Sequence, residues 1–245
     1  MKPRSDTLFH FTRNVETLKS ILKYGFWPRY SLEDFNWYSS SIGLISYPMV
    51  CFCDIPLARI SDHIGFYGDF GIGVSRTWAD TNRLNPLVYL ANDTPVSLAL
   101  SRLLNNNLTA DNGYYQNSAN DINSIISFVK PVWGYVNVNG LPAKKEFYQE
   151  NEWRYVPLNN NLIKPWISKE EHLNPTNLQA FNEQARMHGS LTITPQDIKY
   201  IFVKDDSDIP GLVDYVHANL GQYSGNDLKI LNSRIISTHS ISQDI

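Results

Sequence analysis

Leu8-Phe9-His10-Phe11-Thr12 opens a run, continuing to Gly25, in which a strand pattern gives way to a helix pattern. Leu8 to Phe11 predicts a short strand. Asn14 can cap the helix that follows, and Gly25 can end it. The apolar stripe of that helix is formed by Val15, Leu18, Ile21 and Leu22. This run therefore predicts a strand followed directly by a helix.

Outward from this run, strand and helix patterns alternate without a regular period. Further strands are predicted at 49–53, 71–75, 133–138, 152–156, 199–204 and 228–231. Helices are predicted from Asp54 towards Tyr67, from Thr94-Pro95 onwards, and at 122–129, 176–188 and 210–220. Loops are predicted at 27–47 and 105–117, with a turn at Asn139-Gly140. The pattern favours an α+β fold, as a single domain over residues 1–245.

Composition narrows the class of protein further. The 245 residues are 42% hydrophobic and 18% charged, with a net charge of −3, which excludes disorder and a globally basic nucleic-acid coat. No apolar stretch approaches the roughly 20 residues of a membrane span, and no signal peptide is recognisable. Cys51 and Cys53 are the only cysteines. We therefore expect a cytoplasmic, reduced protein without membrane contact.

The most unusual local sequence is Glu150-Asn151-Glu152-Trp153-Arg154-Tyr155-Val156. Residues two apart in a strand share a face, so Glu150, Glu152 and Arg154 are predicted to lie together. One interpretation is an exposed strand face with a cross-strand ion pair. The other is a carboxylate held at a cleft, where it stabilises positive charge or accepts a proton.

Two other segments are candidate sites. His10, near the end of an apolar strand, is either a structural histidine or a ligand-binding group. His63 and Tyr67 are four residues apart and come together on a helix, and the glycines after them allow either close approach to a ligand or a plain turn. Neither a phosphate-binding loop nor a dinucleotide fingerprint is present. The scattered histidines and the Cys51-x-Cys53 pair predict no metal site.

Three segments, in this order, carry a resemblance to a known family. The first is Leu8 to Thr12 with the helix ending at Lys23-Tyr24-Gly25-Phe26. The second is Cys51-Phe52-Cys53-Asp54-Ile55-Pro56-Leu57 with His63 and Tyr67-Gly68-x-x-Gly71-Ile72-Gly73. The third is Phe147-Tyr148-Gln149-Glu150-Asn151-Glu152-Trp153-Arg154-Tyr155-Val156-Pro157. Together they resemble the AbiGi-type abortive-infection proteins, over most of the chain from about Ser5. The resemblance implies a part in phage resistance, with a cognate toxin or antitoxin as partner.

More remotely, the same layout is similar to the ADP-ribosyltransferase superfamily, including DarT-like DNA-modifying toxins. This resemblance implies a split mixed or antiparallel sheet flanked by helices, NAD as the substrate, and no metal. It implies that Glu152 is catalytic and stabilises the oxocarbenium-like cation formed when nicotinamide leaves the ribose. Glu150 would orient the acceptor, and His10 would act with them at the ribose.

The same resemblance implies a set of residues that bind NAD, comprising His10, Phe11, Thr12, Tyr67, Arg76 and Arg29. The Phe11 backbone would hold the nicotinamide amide. Tyr67 would stack on the nicotinamide ring, with Tyr24, Tyr30 and Trp78 as alternatives. Arg76 or Arg29 would hold the pyrophosphate through paired donors.

Two functions of different class follow. The first is an NAD-dependent mono-ADP-ribosyltransferase of phage defence, acting on a nucleic-acid or protein acceptor, with a candidate basic patch at Lys130, Lys144 and Lys145. It requires His10, a stacking aromatic residue and Glu152 to converge on one cleft. The second is a non-catalytic antitoxin that binds a co-expressed toxin. It requires an exposed apolar surface, for which the aromatic segment Trp27–Tyr47 is the candidate.

Overall fold

A computed structural model describes residues 6–37, 43–108, 121–138, 141–157 and 161–244. The predicted turn at Asn139-Gly140, and the part of the predicted loop at 109–117, lie outside the described residues. The chain packs as two compact units. The first unit comprises Met1–Trp27, Cys51–Leu84 and Ser190–Ile245, and the second comprises Pro28–Val50 and Asn85–Gly189. Folding of the whole chain as one domain stays a prediction.

Strands and helices alternate along the chain. The strands are β1 Thr7–Thr12, β2 Arg29–Asp34, β3 Leu44–Cys53, β4 Phe70–Ser75, β5 Asn85–Pro86, β6 Val88–Leu90, β7 Val129–Pro131, β8 Trp133–Val138, β9 Leu141–Glu146, β10 Glu152–Tyr155, β11 Ile167–Ser168, β12 Ile198–Val203 and β13 Ile235–Ser237. The helices are α1 Val15–Tyr24, α2 Ile60–Tyr67, α3 Arg76–Thr81, α4 Pro95–Leu108, α5 121–126, α6 Lys169–Leu173, α7 Pro175–Gly189, α8 Ile209–Asn219, α9 Gly225–Asn232 and α10 Thr238–Asp244.

The first unit is built on a mixed sheet. Its strands follow the order β13-β12-β4-β1, with β12 and β13 parallel and the other pairs antiparallel. β1 pairs with β4 over its whole length and sets Phe9 opposite Cys53 at the end of β3. Phe9, Phe11 and Phe202 lie in the core of this unit. The mixed sheet with helices packed on it confirms a fold that mixes strands and helices, and the ADP-ribosyltransferase-like split sheet stays a prediction.

Helix α1 begins and ends where the sequence predicts. The side chain of Asn14 accepts a hydrogen bond from the backbone N–H of Thr17, which satisfies one of the donors left free at a helix start. Gly25 has a φ of +80°, and a Cβ there would collide with the carbonyl oxygen of Leu191. A glycine is therefore required at this helix end by both conformation and space.

The second unit contains a hairpin where the sequence predicted a loop. β2 and β3 pair from Arg29 opposite Met49 to Asp34 opposite Leu44, so the loop prediction for 27–47 is wrong. Three aromatic residues of this segment are buried: Tyr30, Phe35 and Tyr47. The described residues of the segment, 27–37 and 43–47, therefore do not offer the exposed apolar surface that the antitoxin interpretation assigned to it. β11 pairs with β3 through Ile167 opposite Ser46.

Three shorter predictions are also wrong. The predicted loop at 105–117 begins inside helix α4, which runs on to Leu108. The predicted strand at 228–231 lies inside helix α9, which Ser224 caps by accepting from the backbone N–H of Asp227. Leu228 and Leu231 are three residues apart and both buried, a helical spacing that four residues alone do not reveal. Val129 begins strand β7 and does not end the preceding helix.

Candidate functional site

The candidate site is a buried group of charged side chains around strand β10 in the second unit. Glu152 and Arg154 are two apart on β10 and share a face, with 6% and 0% of their surfaces exposed. Glu150 ends the turn Phe147–Glu150 just before the strand, and Asn151 joins the two in a left-handed conformation with φ of 44°. The prediction that Glu150 belongs to the strand is wrong, although the turn still leaves it beside Glu152.

Lys130, on β7, joins the two carboxylates. Its Nζ lies 2.8 Å from Oε2 of Glu152 and 3.2 Å from Oε2 of Glu150. The other oxygen of Glu150 contacts Nζ of Lys145 at 2.5 Å. Two buried carboxylates are therefore held close together by two lysines, an arrangement that compensates the cost of burying them.

Arg154 completes the group, and the set of Glu33, Lys130, Lys145, Glu150, Glu152 and Arg154 is called the charge cluster below. The Nε of Arg154 donates to Oε1 of Glu152 at 2.6 Å, and Nη2 donates to Glu33 at 3.1 Å. Nη1 donates to the carbonyl oxygen of Ser127 at 3.0 Å. Three carboxylates and three cations balance, so the charge cluster is neutral. The backbone N–H of Glu152 also donates to the hydroxyl of Tyr89 at 2.7 Å.

The charge cluster holds Glu152 and Lys130 in their ionised forms. Burial by itself raises the pKa of Glu152, but the charges and hydrogen bonds of Arg154 and Lys130 outweigh it and keep that pKa far below its usual range. Burial works against the charge on Lys130, and Glu152, Glu33 and Glu150 together outweigh it and raise its pKa. The interpretation of this strand face as an exposed one is therefore wrong, because the ion pairs are buried.

The depressed pKa of Glu152 predicts a loss of stability in acid. A carboxyl whose pKa is lower in the folded than in the unfolded chain stabilises the fold fully above the unfolded value of about 4.3, and loses that contribution as the pH falls. Urea unfolding should show the wild type to be more stable than Glu152→Gln at pH 7. The difference should shrink by about 1.4 kcal/mol for each unit of pH below about 4.3.

The matched control is Glu183→Gln, because Glu183 forms an exposed ion pair with Arg186 three residues along α7. The difference in unfolding free energy between Glu183→Gln and the wild type should stay small at both pH 7 and pH 3.5. If the difference in unfolding free energy between the wild type and Glu152→Gln is the same at pH 3.5 and pH 7, the pKa of Glu152 is not depressed in the folded chain.

His10, on β1 in the first unit, is held as a neutral base. Its Nδ1 lies 2.8 Å from the carbonyl oxygen of Cys51, and a carbonyl only accepts, so Nδ1 donates. Burial lowers the pKa of His10, and the hydrogen bond to Cys51 opposes this only in part. Phe26 and Phe52 lie with ring centres 5.3 and 5.6 Å from the imidazole. Nε2 therefore carries a lone pair that can accept a hydrogen bond.

The other predicted NAD-binding residues of the first unit lie on three elements. Phe11 and Thr12 end β1, and the ring of Phe11 lies 5.6 Å from that of His63. His63 in turn lies 4.5 Å from Tyr67, which is 37% exposed at the end of α2. This confirms that His63 and Tyr67 come together on a helix. Arg76, at the start of α3, donates to Asp54 at 2.6 Å.

The remaining predicted residues lie in the second unit. Arg29 is exposed at the start of β2, and Glu150 and Glu152 belong to the charge cluster. The structure thus groups Phe11, His63 and Tyr67 in one unit and Glu150 with Glu152 in the other. Convergence of His10 and Glu152 on one cleft stays a prediction.

Sequence reasoning missed the partners that make Glu152 unusual. Tyr89 and Glu33 gave no signal, because their contacts with β10 cross 63 and 121 residues of sequence. For Lys130 and Lys145 the sequence predicted only a basic patch for nucleic acid. In the structure both neutralise carboxylates of the charge cluster.

A metal site and a membrane span are two other features that the described part of the chain could contain. There, no group of three or more His, Cys, Asp and Glu side chains is arranged to hold a metal ion. None of the helices in the same residues has both the length and the apolar character needed to cross a bilayer.

Comparison with known proteins places the chain in a family. The family model described as "Putative abortive phage resistance protein AbiGi, antitoxin" matches residues 25–204. The chain belongs to the AbiGi family. An abortive phage resistance protein AbiGi from Lactococcus lactis subsp. cremoris is 28% identical to it over 177 residues, which cover 64% of this chain and 71% of the relative. No solved structure matches the chain.

The AbiGi match includes the whole charge cluster, with Glu33 near its start and Arg154 within it. It also includes Tyr67 and Arg76. Residues 10–12 of β1 precede the matched range. The abortive-infection character and the antitoxin description thus apply to a region that contains the buried charges of β10.

Proposed function

We propose that this AbiGi protein is a non-catalytic antitoxin that binds and neutralises a toxin protein made in the same cell. The observation that supports the proposal is that both carboxylate oxygens of Glu152 accept hydrogen bonds from cations of the protein. Its Oε1 accepts from Arg154 and its Oε2 from Lys130, and only 6% of the residue is exposed. A carboxylate with both oxygens engaged inside the protein is suited to holding the fold together.

The electrostatics of the charge cluster support the same proposal. A catalytic carboxylate lowers the energy of a developing cation when its negative charge is not already compensated. Here three carboxylates face three cations within hydrogen-bonding distance, which leaves little field to stabilise another positive charge. The antitoxin description of the AbiGi family agrees with a role in binding.

Neutralisation of a toxin can be tested directly. The full chain, tagged and expressed in its host, is recovered with the proteins bound to it, and each of these is then expressed alone from an inducible promoter. The proposal expects one of them to arrest growth, and co-expression of this chain to restore it. It fails if none of the bound proteins arrests growth, or if the arrest persists when this chain is present in excess.

A second function, an NAD-dependent mono-ADP-ribosyltransferase, is favoured by one observation in each unit. Glu152 is ionised throughout the physiological pH range, as stabilisation of an oxocarbenium-like cation requires. Nε2 of neutral His10 can accept a hydrogen bond from a ribose hydroxyl. In this proposal NAD is the substrate, Glu150 orients the acceptor, and Phe11, Thr12, Tyr67, Arg76 and Arg29 bind the dinucleotide.

The acceptor in this second proposal is nucleic acid or protein. Lys130 and Lys145 already neutralise carboxylates. Of the three lysines in the predicted basic patch, only Lys144 therefore remains to bind phosphate. One cation is a weak basis for phosphate binding, since affinity for nucleic acid rises with the number of neutralised phosphates. A protein acceptor is therefore the better supported of the two.

A further inference from the structure

The ribbon formed by β8 and β9 in the second unit has two unlike faces. The register sets Trp133 opposite Glu146 and Tyr135 opposite Lys144, so these four side chains share one face. All four are exposed, and they are called the exposed ribbon face below. Gly134 and Lys145 lie on the other face, where Lys145 contacts Glu150 of the charge cluster.

Two large aromatic residues dominate a face that would ordinarily be polar. Trp133 is 41% exposed and Tyr135 is 69% exposed, and their ring centres are 6.4 Å apart. The Nζ of Lys144 lies 4.4 Å from the ring centre of Trp133, which holds the indole in place. Exposed aromatic residues held in a fixed position are typical of protein interfaces.

The charges of the exposed ribbon face complement each other. It carries one cation, Lys144, and one carboxylate, Glu146, on the same strand and two residues apart. Consecutive residues on one face of a strand are about 7 Å apart. A neutral face of this kind does not attract phosphate strongly, so it fits protein better than nucleic acid.

We infer that the exposed ribbon face is the contact surface of a homodimer. A two-fold axis lying in the plane of the face, perpendicular to the strands, places Lys144 of one copy against Glu146 of the other, and the reverse. The same axis lays Trp133 of each copy on Tyr135 of its partner copy. The face is therefore complementary to itself in charge and in shape, and both ion pairs and both aromatic contacts form together.

The small size of the patch favours a weak dimer. Each aromatic side chain can bury at most about 150–250 Å². The interface contains two of them from each copy, and Trp133 is only 41% exposed before the copies meet, so with the flanking charges the total stays below the roughly 1,200 Å² of a standard interface. We therefore expect a reversible dimer with a dissociation constant on the order of 10 µM.

Sedimentation of the full chain over a range of concentrations around that value tests the inference. The wild type should change from monomer to dimer across the range. Lys144→Glu and Glu146→Lys should each weaken the dimer about tenfold or more, because each sets like charges against each other. The double variant Lys144→Glu/Glu146→Lys should return to within about threefold of the wild type, because both ion pairs re-form with reversed sign.

Tyr135→Ala should also weaken the dimer, whereas Tyr24→Ala should leave it unchanged. Tyr24 is a matched control, since it is a tyrosine of the first unit whose exposure of 65% is close to the 69% of Tyr135. The inference is overturned if the wild type stays monomeric at a protein concentration ten times the expected dissociation constant. It is also overturned if the double variant Lys144→Glu/Glu146→Lys dimerises no more strongly than either single variant.

Discussion

Arg154→Ala should lower the free energy of unfolding by about 3–5 kcal/mol, the usual cost of removing one partner from a buried ion pair. Arg154 has none of its surface exposed and contacts Glu152, Glu33 and the carbonyl oxygen of Ser127. Without the guanidinium, the buried Glu152 and the partly buried Glu33 both lose a cation. The measurement is urea unfolding at pH 7 followed by circular dichroism.

The size of this loss is large against the 5–15 kcal/mol that stabilises an ordinary domain. Arg186→Ala is the matched control, because Arg186 pairs with Glu183 on the exposed face of α7 and should change the stability little. Similar effects of the two substitutions would show that the charge cluster does not stabilise the fold.

Phe52→Ala should cost a similar amount in the first unit, about 3–5 kcal/mol, through the cavity that it leaves. Phe52 is 2% exposed, and its ring lies 5.0 Å from that of Phe26 and 5.7 Å from that of Trp78. The rings of Phe26 and Phe52 also contact the imidazole of His10, so the substitution removes packing on it. Urea unfolding measures the loss.

Phe66→Ala is the control for this prediction, because Phe66 is 40% exposed and should contribute much less to stability. Equal effects at Phe52 and Phe66 would contradict the packing described here.

The two substitutions Phe52→Ala and Arg154→Ala together also test the predicted single domain. If the chain unfolds as one domain, Phe52→Ala and Arg154→Ala should both shift one shared transition. Two transitions, each shifted by only one of the substitutions, would show that the units unfold separately.

Much of the fold could be predicted where local patterns are strong. β1 and α1 follow from an apolar segment, a capping Asn14 and a terminal Gly25, all of which act over a few residues. The β2–β3 hairpin was missed because the segment is rich in serine, which is common in loops, and the alternation of polar and apolar residues from Arg29 to Glu33 is short. The burial of Tyr30 and Tyr47 depends on distant elements, which no local pattern contains.

The candidate site could be predicted only in part, for the same reason. The Glu-x-Glu-Trp-Arg segment indicated that Glu152 and Arg154 share a strand face. Whether that face is exposed or buried depends on Lys130 and Glu33, which belong to other strands. Charge spacing along one strand therefore indicates a charged site, but its burial and its neutrality come from the tertiary structure.

Nicotinamide release from NAD by the full-length protein most directly tests the central claim that Glu152 serves the fold of a binding protein. The assay compares the wild type with Glu152→Gln, with host extract as the source of acceptors, after unfolding curves have shown both to be folded. The account predicts no release above the buffer value from either protein. Release by the wild type that is lost in Glu152→Gln would contradict it, and would establish the ADP-ribosyltransferase function in its place.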